Sequence, residues 1–115
     1  YIPSTGMIQF FLGTFMVESP VLSNPDGWHF VAATLSMPLI KMILYVDGQR
    51  VDGAFFTSNG IPSCTNALGS YYQGTPSELF IGKIDEAQYY DRLLSQGEVS
   101  ALYNAGAAGV CKPKK

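Results

Sequence analysis

The chain has 115 residues and a formal net charge of −2, with 47% hydrophobic, 13% aromatic and only 14% charged residues. This length fits one domain with one core, and the apolar content argues against intrinsic disorder. The net charge gives no basic surface for nucleic acid, and no apolar run is long enough for membrane insertion, so we expect neither partner.

The first third of the chain predicts buried strands on either side of a loop. Residues 8–17 (IQFFLGTFMV) indicate one or two strands, and residues 20–27, with two prolines and a glycine, indicate a loop. Residues 28–35 (WHFVAATL) form the next strand candidate, because their large and small side chains suit the interior of a sandwich. The only histidine, His29, lies beside Trp28 in this apolar strand, so we expect a structural residue with a hydrogen-bonded ring.

The strongest local signal is the dipeptide Asp47-Gly48 between two strand-like runs. Residues 40–46 (IKMILYV) precede it and residues 49–51 (QRV) follow it. Because Asp and Gly both tolerate a positive φ, the pattern predicts a hairpin with a two-residue turn. The next dipeptide, Asp52-Gly53, either ends the returning strand or forms a bulge in it.

A long connection over residues 58–78 is rich in Ser, Asn, Gly and Pro, with one short strand expected around Ala67 and Leu68. Cys64 lies in this connection and Cys111 lies in the C-terminal tail. Two loop cysteines predict one disulfide and an oxidising compartment, and the alternative is two free surface thiols.

The C-terminal part predicts strand composition followed by one short helix. Residues 79–81 and 84–90 have the composition of strands. Ser95 with Glu98 three positions later is a capping box, and apolar side chains at helical spacing follow it. Gly106 predicts the end of this helix.

Three motifs occur in a fixed order: GWHFVA at residues 27–32, LYVDG at 44–48, and GKIDE at 82–86 followed by LLSQGEVSALY at 93–103. This order resembles the C-terminal part of laminin-G-like domains of the concanavalin A-like lectin/glucanase superfamily. The resemblance implies an all-β fold, a shortened antiparallel two-sheet jelly-roll sandwich with one short C-terminal helix. Residues 1–111 would form this domain without the first strands of the full family domain, and residues 112–115 would form a basic tail.

The resemblance implies an extracellular module, secreted or at the cell surface, but only 27 residues precede Trp28, whereas full family domains are longer. The chain is therefore a fragment, a reduced variant, or half of a sandwich that another chain completes. A reduced sandwich exposes strand edges, which a homodimer or other domains of a parent chain would cover.

Two neighbouring carboxylates, Asp85 and Glu86, raise the question of glycoside hydrolysis. A retaining hydrolase needs two carboxyl groups about 5–5.5 Å apart on one face, but adjacent strand residues point to opposite faces. Asp91 lies six strand positions from Asp85, a span of about 20 Å. We therefore predict that the protein is not an enzyme.

Asp85 has two interpretations if it lies on the core side of its strand, because a carboxylate there must be hydrogen-bonded, paired or bound to a metal. It accepts backbone N–H groups from a neighbouring turn, or it binds calcium at the rim of the sandwich. The further oxygen ligands for calcium would come from Asn24, Asp26 and Asn66.

The long connection carries the candidate ligand site, because exposed aromatic rings stack on the C–H faces of sugars. Tyr71 and Tyr72 would supply the rings, with Asn66 and Gln73 as hydrogen-bonding partners, although loop tyrosines also serve in plain packing. We therefore predict a non-catalytic recognition or adhesion module that binds carbohydrate. The alternative is a structural or protein–protein interaction module of a larger secreted or cell-surface protein.

Overall fold

The computed structural model describes residues 5–12, 15–36, 40–56, 68–69, 71–72, 76–77 and 80–106. The elements are β1 (Gln9–Leu12), β2 (Phe15–Glu18), β3 (Val31–Ser36), β4 (Ile40–Val46), β5 (Gln49–Phe56), β6 (Tyr71–Tyr72), β7 (Pro76–Ser77) and α1 (Gln96–Ala105). The described strands form three antiparallel sheets, with the strand orders β1–β2, β3–β4–β5 and β6–β7.

The core lies between the β1–β2 hairpin and one face of the β3–β4–β5 sheet. Val17 of β2 packs there against Ile40, Met42 and Leu44, and each of these four side chains is at most 1% exposed. The three β4 residues alternate along the strand, so they all point to the same face. The predicted shortened sandwich of antiparallel strands with one short helix is therefore confirmed.

The predicted two-residue hairpin turn is present between β4 and β5. Asp47 has φ 52° and Gly48 has φ 79°, the positive values that this turn requires. Of the two alternatives for Asp52-Gly53, the strand does not end there but continues to Phe56, and a bulge lies just before Asp52. Leu44 pairs with Asp52 whereas Tyr45 pairs with Arg50, so the residue between them has no partner opposite it.

The capping box predicted at the start of α1 is confirmed. The Ser95 hydroxyl accepts a hydrogen bond from the Glu98 backbone N–H at 3.2 Å, and the Glu98 carboxylate accepts one from the Ser95 N–H at 3.2 Å. The Arg92 guanidinium donates to the same carboxylate, and together with the Ser95 N–H it lowers the pKa of Glu98 to about 2. The helix ends at Gly106, as predicted, with φ 55°.

The helix docks on the tip of the β4–β5 hairpin. The side chains of Gln96 and Ser100 donate hydrogen bonds to the Gly48 carbonyl oxygen at 3.0 and 3.2 Å. The Tyr103 ring covers the α-carbon of Gly48 and also lies 6.0 Å from the Phe30 ring, measured between centroids. The turn therefore fixes the position of α1.

The strands predicted in the C-terminal part are wrong, because residues 80–94 form no strand. Glu86 has φ 57°, which turns the backbone away from an extended path, and no described strand pairs with this segment. Its apolar side chains face solvent, with Ile81 90% and Tyr89 88% exposed. Asp85 is also exposed, so the condition that it lies on the core side of a strand is not met.

Two further boundaries differ from the prediction. The strand expected from residue 28 begins at Val31, and Trp28 is 69% exposed. Leu68 lies in a bend, while Ala67 lies outside the described residues, and the short strands of this region are β6 and β7. Within the described part of the chain, no helix has the length and apolar content needed to cross a bilayer.

Candidate functional site

A groove lies on the face of the β3–β4–β5 sheet opposite to the core. The sheet forms its floor, and the segment of residues 93–96 at the start of α1 forms its wall, around a cavity of about 280 Å³. The strand register arranges this sheet face in three cross-strand rows, which are Ser36–Lys41–Phe55, Thr34–Ile43–Gly53 and Ala32–Tyr45–Arg50. Phe55, Gly53 and Ala32 share this face but are not among the residues that line the cavity.

Strand alternation explains why these residues share the groove. Lys41, Ile43 and Tyr45 alternate along β4 with the core residues of the same strand, so they point to the opposite face. The hairpin turn places Arg50 opposite Tyr45, and the bulge that follows places Gly53 opposite Ile43. The sequence thus gives β4 one wholly apolar face and one mixed face.

Thr34 is a buried polar residue on the floor of the groove. Its side chain is only 7% exposed, and its hydroxyl has no hydrogen-bond partner within the described residues. A buried polar group without a partner costs about 1–3 kcal/mol. Because Thr34 lines the cavity, a molecule that enters can supply the missing hydrogen bond once the hydroxyl turns toward it.

Arg50 extends over Gly53, where the lack of a side chain leaves room for it. A Cβ atom built on Gly53 would collide with Nη2 of Arg50, so the guanidinium occupies the space that this side chain would take. The charged end of Arg50 therefore lies at the β5 end of the Thr34–Ile43–Gly53 row.

Lys41 lies in the next row, beside an exposed aromatic ring. Its Nζ atom is 5.2 Å from the centroid of the Phe55 ring, which is a cation–π contact. The Phe55 side chain is 69% exposed, although it lies on the same sheet face as the groove. In the described part of the chain, neither Lys41 nor Arg50 forms an ion pair with a carboxylate.

His29 lies outside the groove but holds the turn on which the groove wall rests. Its Nδ1 atom is 2.8 Å from the Asp47 carboxylate, and its Nε2 atom is 2.6 Å from the Asn24 carbonyl oxygen. The Asn24 carbonyl and then the Asp47 carboxylate raise the pKa of His29. The prediction that its ring is hydrogen-bonded is confirmed.

Of the residues predicted to bind calcium, Asp85, Asn24 and Asp26 are described, whereas Asn66 lies outside the described part of the chain. Asp85 Oδ1 accepts the backbone N–H of the next residue, Glu86, at 2.8 Å. The Asn24 carbonyl faces His29 rather than Asp85 or Asp26. Among the described residues, no three His, Cys, Asp or Glu side chains lie close enough to hold a metal ion. Calcium binding stays a prediction.

The predicted carbohydrate and disulfide residues are not tested by the structure. Tyr71 and Tyr72 form β6, and their role in ligand binding stays a prediction. Asn66, Gln73, Cys64 and Cys111 lie outside the residues that the structure describes.

Sequence reasoning missed the groove, although part of its signal was present. A two-residue hairpin turn fixes the register of its strands, so Tyr45 opposite Arg50 follows from Asp47-Gly48 alone. Lys41 and Tyr45 also share a face by alternation. The place of Gly53 depends on the bulge, which the sequence only suggested.

Comparison with known proteins identifies a family for this chain and a solved structure with a similar fold. Residues 2–100 match a laminin G family model that is described as the concanavalin A-like lectin/glucanases superfamily. The crystal structure of an S-layer domain-containing protein from Clostridium thermocellum (residues 221–444) is similar, with 24% sequence identity and a TM-score of 0.52. The match covers 85% of this chain but 52% of that one, so this chain spans about half of its length. No curated protein matches the chain.

Proposed function

The chain belongs to the concanavalin A-like lectin/glucanases superfamily, and on that premise we propose that it is an extracellular, non-catalytic module that binds carbohydrate in the groove of the β3–β4–β5 sheet. The family resemblance predicted from the three motifs is confirmed. The observation that carries the proposal is a groove lined by polar side chains on the same sheet face as the exposed Phe55 ring.

The groove offers both kinds of contact that a sugar ring requires. The exposed face of Phe55 provides an apolar surface for the C–H groups of a sugar. The Ser36 hydroxyl, and the Thr34 hydroxyl once it turns toward the cavity, can donate to or accept from sugar hydroxyls, whereas Lys41 and Arg50 can only donate. A mixture of donors and acceptors around a ring suits a carbohydrate better than a purely apolar ligand.

A second candidate function is a structural or protein–protein interaction module. The side chains of Ile81, Tyr89 and Trp28, between 69% and 90% exposed, favour this alternative because a partner surface would bury them. The likeness to an S-layer domain-containing protein fits a cell-surface setting for either function. The two functions use different surfaces. The carbohydrate function requires the groove, whereas the interaction function requires the exposed side chains of Ile81, Tyr89 and Trp28.

The test is a glycan-array screen followed by calorimetry on the strongest glycan, with the variants Phe55→Ala and Trp28→Ala. These two side chains are both 69% exposed, but only Phe55 lies on the groove face, so Trp28→Ala is the matched control. We expect Phe55→Ala to weaken binding about tenfold, the scale of a lost ring contact, and Trp28→Ala to leave it unchanged. The absence of any bound glycan would overturn the carbohydrate function.

The same screen tests the other predicted ligands. Removal of calcium by a chelator should weaken binding only if Asp85, Asp26 and Asn24 hold a metal ion that supports the site. Loss of binding in Tyr71→Ala and Tyr72→Ala, with Phe55→Ala unaffected, would move the sugar site from the groove to the long connection.

A further inference from the structure

We propose that the chain forms a homodimer in which the outer edge of β3 pairs with the β3 of a second copy, so that two three-stranded sheets join into one. The two strands run antiparallel about a twofold axis. This interface goes beyond both functions proposed above, because it uses neither the groove nor the exposed side chains of the interaction function.

The backbone of β3 has a neighbour on one side only, because β4 is the one described strand that pairs with it. At the start of the strand, the Phe30 carbonyl oxygen accepts the Asp47 N–H at 2.8 Å. Successive residues of an antiparallel strand direct their N–H and C=O groups to alternate sides. The backbone groups of Val31, Ala33 and Leu35 therefore point away from β4, toward the place of a further strand.

The same three residues form the margin of the apolar core face. β2 packs on β4 and β5, and exposure rises from there toward β3. Leu44 of β4 is 1% exposed, whereas Val31 of β3 is 45% exposed and Ala33 is exposed as well. A strand added beside β3 would bring cross-strand neighbours against these apolar side chains.

The opposite edge of the same sheet is protected, whereas the edge of β3 is not. β5 carries Arg50, Asp52 and a bulge, and the Asp52 carboxylate accepts the Glu18 backbone N–H at 2.9 Å. Charges, bulges and cover by another element are the features that stop an edge strand from pairing with other chains. The six residues of β3 (VAATLS) include no charge and no proline, and their register with β4 has no bulge.

The order of side chains in β3 fits a second copy of the same strand. With the twofold axis at Ala33, this residue lies opposite its own copy, and Val31 lies opposite Leu35 of the second copy. Each of these pairs exchanges two N–H···O bonds, because both residues direct their backbone groups outward. No like charges meet, although each chain has a net charge of −2. A twofold contact of this kind consumes both edges, so assembly ends at the dimer.

The first measurement is the oligomeric state of the full chain by sedimentation equilibrium, between about 10 μM and 1 mM. One strand pair is smaller than a standard interface of about 1,600 Å², so we expect a dimer that dissociates on dilution. Amide hydrogen exchange at both concentrations then locates the interface. The amides of Val31, Ala33 and Leu35 should exchange slowly only in the dimer, whereas those of Ala32 and Thr34, which face β4, should exchange slowly at both concentrations.

Variants at the centre of the strand test the register. Ala33→Lys places two like charges at the twofold axis and should raise the dimer dissociation constant about tenfold or more. Ala101→Lys makes the same change at an exposed position of α1 and is the matched control, which should leave the constant unchanged.

A cross-link tests the same register without adding charge. Ala33→Cys should form an intermolecular disulfide on mild oxidation, because the Cα atoms of such a pair are about 5.5 Å apart. Ala101→Cys is the control and should form no more cross-linked dimer than the wild type, which already contains Cys64 and Cys111.

The outcomes decide the proposal independently of glycan binding. A monomer at every concentration would overturn it. A dimer whose Val31, Ala33 and Leu35 amides exchange as fast as in the monomer would also overturn it, because the interface would then lie elsewhere. An equal effect of Ala33→Lys and Ala101→Lys would have the same meaning. If Ala33→Lys does not fold, the exchange pattern of the wild type decides alone.

Discussion

At His29, both ring nitrogens face oxygen atoms, the Asp47 carboxylate on one side and the Asn24 carbonyl on the other. A carbonyl and a carboxylate can only accept hydrogen bonds, so both contacts are satisfied only when the ring carries a proton on each nitrogen. Asp47 also accepts the backbone N–H of Phe30 at 3.0 Å, so both oxygens of its carboxylate have a hydrogen-bond partner. The native state therefore favours the imidazolium.

This preference predicts that stability depends on pH. The pKa of His29 is raised in the folded state above its ordinary value of 6.5, so its contribution is fully present below that value and is lost as the pH rises through the folded pKa. We expect the wild type to exceed His29→Gln in unfolding free energy near pH 5, and the difference to shrink toward about pH 9. Urea unfolding across this range is the measurement, and a difference that stays constant would contradict the assignment.

The sequence predicts that the His29 ring is hydrogen-bonded, but it does not predict by which residues. An isolated histidine in an apolar stretch predicts a hydrogen-bonded ring, because a buried ring nitrogen needs a partner. The identity of the partner could not be predicted. Asp47 lies 18 positions away and reaches His29 only after the hairpin has formed beside β3.

At the scale of elements, the junction between the β4–β5 turn and α1 carries a close contact. A Cβ atom on Gly48 would lie 2.7 Å from Cδ1 of Tyr103, and the residue has a positive φ. Glycine is therefore required there for two independent reasons, the backbone conformation and the space left by the helix. Gly97, in the first turn of α1, differs because its nearest neighbour atom would be 3.9 Å away.

These two glycines give a matched pair of substitutions. Gly48→Ala should lower the unfolding free energy by about 1–3 kcal/mol, because it adds both backbone strain and a collision with Tyr103. Gly97→Ala should raise it by about 0.5–1 kcal/mol, because alanine favours a helix over glycine. Urea midpoints at fixed pH measure both, and a neutral Gly48→Ala would show that the helix does not rest on the turn.

The elements that the sequence predicted correctly are those that local chemistry determines. Asp47-Gly48 specifies its turn by backbone preference, and Ser95 with Glu98 specifies the helix start by hydrogen bonds within four residues. The strand predicted over residues 84–90 fails for the opposite reason. A strand exists only through pairing with a neighbour, and composition alone does not reveal whether that neighbour is present.

At the scale of the whole molecule, the candidate site was the hardest part to predict. The groove brings together three strands and the start of α1, so its membership depends on register, on the bulge and on helix docking. The sequence instead favoured Tyr71 and Tyr72 in the long connection, because loops often carry binding residues. The positive charge of the groove could not be predicted from the sequence, because Lys41 and Arg50 have the pattern of ordinary surface residues in strands.

The predicted disulfide between Cys64 and Cys111 would act on the stability of the whole chain. A cross-link that closes so long a loop adds about 4 kcal/mol in the chain-entropy model. Under non-reducing conditions we expect alkylation to leave the mass unchanged, and a reductant should both expose two thiols and lower the melting temperature. The variant Cys64→Ser is the control, since its melting temperature should not respond to reductant. Alkylation of both cysteines without reductant would rule out the bridge.

The turn at Asp47-Gly48 has a consequence for how the chain tolerates changes in length. Hairpin tips are usually among the places where a protein accepts inserted residues or a tag. Here the Asp47 side chain is bound to His29 and Phe30, and the Gly48 carbonyl is bound to α1. One added residue would move the carbonyl away from the helix and undo the pair of positive φ values. We therefore expect that this hairpin tip does not tolerate inserted residues.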